Sequence, residues 1–136
     1  MNTTARLIAA GIGLSGLTFA TGGVSASPAS ATSATCHLTV TSNKVLDLQD
    51  RDGDDEIFFK LGGQKTPVRV YAQGQKRVNI GSKFFQNSID VKIFERDGNN
   101  LTLVGSINNI PCQNEPGEHE EVSGSGALYS VRWSVD

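Results

Sequence analysis

Asp50-Arg51-Asp52-Gly53-Asp54-Asp55-Glu56 gathers five carboxylates into seven residues, directly before the apolar run Ile57-Phe58-Phe59. Carboxylates so crowded repel one another unless a cation or basic groups lie among them. Calcium takes roughly six to eight oxygens from carboxylates and carbonyls, so Asp50, Asp52, Asp54 and Glu56 are candidate calcium ligands. The spacing of Asp50, Asp52 and Asp54 around Gly53 copies the first half of an EF-hand loop. The second half is missing. Asp55 stands at the sixth position, where glycine is required, and Leu61 at the twelfth, where a bidentate glutamate belongs. A second turn, Glu95-Arg96-Asp97-Gly98-Asn99-Asn100, echoes the first with Arg-Asp-Gly and adds Glu95 and Asp97 to the candidates. Both turns also read as simple hairpin connections, because glycine, Asp and Asn tolerate positive φ.

Support for catalysis is thin. His37 adjoins Cys36, and His119 lies in Glu118-His119-Glu120-Glu121, which lacks the helix that would converge its groups on a metal. No serine or cysteine sits in an elbow-like context, so a non-enzymatic chain is expected. Glu118 and His119 remain candidates for contact with a partner.

The first residues carry an address. Arg6 supplies a positive start, Leu7 to Ala20 form an apolar run, and Val24 and Ala26 place small residues where a signal peptidase reads. The run is about 14 residues, short of the roughly 20 needed to cross a bilayer. Residues 1–26 are therefore expected to be a signal peptide, and the chain to be secreted. Cleavage removes Arg6, which leaves 11 basic residues against 14 acidic ones, net −3. No basic face is evident for a nucleic-acid partner. Cys36 and Cys112, an even count in an oxidising compartment, are expected to form one disulfide. It would tie the start of the first strand to Asn109-Ile110-Pro111-Cys112.

Residues 27–35 (Ser27-Pro28-Ala29-Ser30-Ala31-Thr32-Ser33-Ala34-Thr35) contain no large apolar group and read as a flexible arm. The remainder, 36–136, reads as one domain of strands. Ile89-Asp90-Val91-Lys92-Ile93-Phe94 and Leu128-Tyr129-Ser130-Val131-Arg132-Trp133-Ser134-Val135 alternate cleanly, and shorter runs surround them. No window shows helical periodicity. Short strands separated by Gly, Asn and Asp turns predict an all-β, antiparallel β-sandwich of about seven or eight strands. Gln113 to Gly126, with Pro116-Gly117 and Ser123-Gly124-Ser125-Gly126, reads as a long surface loop. Lys76-Arg77 reads as loop, and Phe84 and Phe85 as core.

Asp50-x-x-Gly53-x-Asp55-Glu56-Ile57-Phe58-Phe59-Lys60-Leu61 resembles the D-x-x-G-x-S-D-P-Y-V-K-L stretch of protein-kinase-C conserved-region-two (C2) domains. Ile89 to Gly105 resembles their later strand–loop–strand, in which D-x-D follows an apolar alternating strand. The resemblance spans about 60 residues. It implies a C2-like sandwich in which two loops at one end jointly bind calcium, with Asp50, Glu56, Glu95 and Asp97 at the matching positions. Two of these are Glu rather than Asp, no Pro-Tyr follows the acidic residue, and Thr102 stands near the last expected carboxylate. These departures bear on the metal more than on the fold.

The expected function is a secreted, non-catalytic protein-binding module. Sheet edges, loop tips and the arm, with Ser27, Pro28, Thr32 and Thr35, would offer contact surfaces, the arm by adding a strand to a partner. In architecture the chain is similar to the small secreted adaptor subunit of actinomycete umbrella-type toxin particles. The alternative is a calcium-dependent lipid- or ligand-binding C2-like domain. A lipid membrane is the weaker partner, because only Lys83-Phe84-Phe85 offers a basic and aromatic tip.

Overall fold

The computed structural model describes residues 33–49 and 53–136. The expected signal peptide, Ser27, Pro28, Thr32, Asp50 and Asp52 lie outside the described residues.

Among the described residues nine strands follow one another: β1 (Cys36–Asp47), β2 (Asp55–Leu61), β3 (Gln64–Lys65), β4 (Arg69–Tyr71), β5 (Lys76–Phe85), β6 (Ser88–Asp97), β7 (Asn100–Pro111), β8 (Glu115–Gly124) and β9 (Ala127–Val135). No helix occurs among the described residues. One sheet has the order β5-β1-β9-β8. The other runs β3-β2-β6-β7, with β4 following β3 along the free side of β2. Every pairing is antiparallel.

The period-two patterns explain the layers, since alternate residues of a strand face opposite sides. Ile57, Phe59 and Leu61 of β2 and Val91 and Ile93 of β6 turn inward to meet Leu38, Val40, Tyr129, Val131 and Val135 of the first sheet. In β1 a bulge between Val40 and Ser42 breaks the alternation and leaves Ser42 and Asn43 both buried. Cys36 and Cys112 are joined as expected, with Cα atoms 5.4 Å apart, binding the start of β1 to the residue after β7.

Three local expectations are corrected. Gln113 to Gly126 is not a loop: Glu115–Gly124 is β8, paired with β9 through a turn in which Ser125 and Gly126 both have positive φ. β8 is an edge strand exposed from Pro116 to Glu121, so it carries no apolar alternation to betray it. Lys76-Arg77 opens β5. Phe84 is 66% exposed and stacks on His37 at 4.4 Å between centroids, while only Phe85 packs against the core.

The register places four connections at one end of the sandwich. Asp47 is level with Leu128, Asp55 with Tyr71, and Ile57 with Glu95. Residues 48–49 and 53–54 therefore share their end with the β4–β5 connection, the β6–β7 hairpin and the β8–β9 hairpin. The disulfide closes the opposite end.

Candidate functional site

Beneath the acidic end lies a sealed polar cluster. The inward phase of β2 that carries Ile57, Phe59 and Leu61 also carries Asp55, and that of β6 carries Glu95 beyond Ile93. Asp55 is wholly buried and Glu95 nearly so, together with Asn43, Tyr71 and Tyr129. The Tyr129 hydroxyl donates a short hydrogen bond to Asp55 Oδ2, which also accepts from the Gln49 backbone N–H at 3.1 Å. Burial pushes the Tyr129 hydroxyl far above its ordinary pKa, helped by its bond to Asp55 and the nearby charges of Asp55 and Glu95. Burial also raises Tyr71, against the pull of neighbouring Asn43, Arg69 and Arg77. Closed to solvent, this cluster ties the entry of β2 to β9; it offers no surface to a ligand.

The candidate metal ligands separate by face. Glu95 points into the core, whereas Glu56 and Arg96 point out of the same sheet and pair at 3.1 Å. Asp54 is exposed before β2, and Asp97 is exposed at the β6–β7 turn. Among the described residues no three His, Cys, Asp or Glu side chains gather in a metal-holding group. The described carboxylates alone therefore do not fit calcium. Of the candidate partner contacts, Glu118 and His119 stand exposed on β8, His119 Nε2 lying 2.6 Å from Ser130 Oγ. Thr35 accepts from Gln86 Nε2 at 3.4 Å. Asn43, Asp55, Tyr71 and Tyr129 escape the sequence reading. Asp55 alone had a signal, its phase with Ile57, Phe59 and Leu61, while the motif likeness drew attention to its neighbour Glu56.

The outer face of the β3-β2-β6-β7 sheet is differently built. Phe58 and Phe94 lie on this side of the sheet and stack, with centroids 5.3 Å apart and planes 8° from parallel; Phe58 is wholly buried and Phe94 half-buried. Lys65 Nζ lies 4.0 Å from the Phe58 centroid and Lys60 Nζ 4.7 Å from that of Phe94. The ammonium groups thus rest on the negative faces of the rings. Leu103 pairs with Phe94 and Leu101 with Arg96 in the next strand, and the two leucines are 48% and 55% exposed. An apolar band therefore lies over β6 and β7, bordered by Lys60 and Lys65, with Phe58 buried beside it. At the disulfide end it runs into an open cleft of about 640 Å³ between this face, the Gly62-Gly63 turn and Lys83-Phe84-Phe85 of β5.

The fold is a C2-like β-sandwich. A solved structure described as that of a C2 domain superposes with a TM-score of 0.54 at 14% identity, covering 74% of this chain and 98% of that one. A C2 domain-containing protein gives 0.52 at 18% identity over 75% and 88%. A plant extended synaptotagmin domain gives 0.50 at 13% over 73% and 91%. Identities this low establish likeness of fold alone. No protein-family profile and no curated protein matches the chain.

Proposed function

We propose that the chain acts after export as a non-catalytic module that binds another secreted protein. The supporting observation is the band Phe94-Leu103-Leu101 on an open sheet face, backed by the buried ring of Phe58. Exposed apolar patches with polar borders mark interaction sites, and aromatic side chains are enriched at interface cores. Disulfide closure of the domain suits an oxidising compartment. Capture from the producing culture with tagged protein tests the reading. A double variant, Leu101→Glu with Leu103→Glu, is expected to lose the captured protein while melting within a few degrees of the parent. Equal capture by the variant overturns it.

Its finer form is an adaptor subunit of an extracellular antibacterial toxin complex, which rests on the segment Ser27 to Thr35. Deleting residues 27–35 should then abolish partner capture at unchanged melting temperature. A large fall in melting temperature would place the segment in the domain instead.

Calcium-dependent ligand binding is the second reading. It is favoured by one observation, that Asp54 and the Asp97-Gly98-Asn99-Asn100 turn share an end of the sandwich. Titration calorimetry with calcium, with and without anionic vesicles, decides it: absence of heat and of thermal stabilisation removes it.

A further inference from the structure

We infer that the cleft at the disulfide end takes an acidic segment of the partner protein, its carboxylates held by Lys60, Lys83 and Lys92 and its apolar side chains by Phe84 and Phe94. This rests on the protein-binding reading and gives the chemistry of the partner. Three observations carry it. Lys60 and Lys92 are directly opposed across β2 and β6, so their positive charges add on one wall of the cleft. Neither of them, nor Lys83, has a carboxylate within ion-pair distance among the described residues. Among the described residues the one carboxylate lining the cleft, that of Asp90, accepts from the Asn109 backbone N–H at 2.9 Å.

The cleft is therefore concave and, with Lys60, Lys83 and Lys92 set against Asp90, net positive among the described residues. Its walls suit alternating acidic and apolar side chains. Phe84 stands 66% exposed on one wall. On the other, Phe94 leads directly into the band of Leu101 and Leu103. A peptide lying here would continue along the apolar face already described. The exposed strand β8 of the first sheet is acidic, at Glu115, Glu118, Glu120 and Glu121, so charge would orient the module as the partner approaches.

Fluorescence anisotropy with a labelled peptide of alternating Glu and Phe provides the test. Saturable binding is expected, weakening steeply with salt, and the matching peptide of Gln and Phe should bind at least about tenfold more weakly. Lys83→Glu with Lys92→Glu should weaken the acidic peptide by at least about tenfold. The milder pair Lys83→Gln with Lys92→Gln should fall between, covering any loss of folding in the first. Equal binding of the two peptides, indifference to both variants, or capture by phosphatidylserine vesicles in place of the peptide would each overturn the inference. If the leucine variants lose the cultured partner but the acidic peptide does not bind, the charge chemistry fails and the module reading stands. If the peptide binds but the leucine variants keep their partner, the reverse holds.

Discussion

Asp55 carries more of the architecture than any exposed carboxylate beside it. Its Oδ2 accepts from a side chain on β9 and from the backbone of Gln49, so removing the Tyr129 hydroxyl leaves a buried oxygen short of a donor. Tyr129→Phe should therefore lower stability by about 1–3 kcal/mol in chemical denaturation. The tyrosines also set an alkaline limit. Their folded pKa values are raised, whereas in the unfolded chain they ionise near 10. The contribution is complete below about pH 10 and is lost as pH rises above it, because only the unfolded state then releases the proton. The urea midpoint should fall above that pH, and Tyr129→Phe should flatten the fall; a midpoint independent of pH there would contradict the assignment. The partnership itself was illegible in the sequence, since 74 residues separate Tyr129 from Asp55 and each merely looked like its neighbours.

At the scale of elements, the sandwich is closed along one side by the approach of β7 to β8, and glycines permit it. A Cβ on Gly124 would lie 1.8 Å from the Val104 carbonyl oxygen, a backbone atom that cannot step aside. Gly124→Ala should destabilise by about 3 kcal/mol or more, as overpacking with backbone displacement does. A melting temperature within a degree or two of the parent would show that the edges do not meet so tightly. The disulfide secures the other end. Replacing Cys36 and Cys112 together by Ser frees a loop of 76 residues and should lose about 4–5 kcal/mol at most by chain entropy.

Strands buried on one face were the legible ones: β6 and β9 alternate because one side meets the core. β8 was misread for the converse reason, since an edge exposed on both faces leaves no period to detect. The metal-ligand reading treated Glu56 and Glu95 as one set. Register sends them to opposite faces, and short-range spacing does not encode register between strands.

The whole molecule is polarised twice. One end carries Asp54 and the Asp97-Gly98-Asn99-Asn100 turn beside a sealed acid–tyrosine cluster, and the other carries the disulfide and the lysine cleft. Across the layers, the β3-β2-β6-β7 sheet presents aromatics, leucines and lysines outward, whereas the edge strand β8 of the other sheet is acidic. This second polarity is the basis for placing the partner on one sheet. Lysine acylation footprinting of the partner-bound protein against the free protein measures it directly, because Lys44 and Lys76 on the opposite sheet serve as internal controls. The account predicts that Lys60, Lys83 and Lys92 become protected in the complex while Lys44 and Lys76 react as before. Protection of Lys44 and Lys76 with the other three unchanged would contradict it.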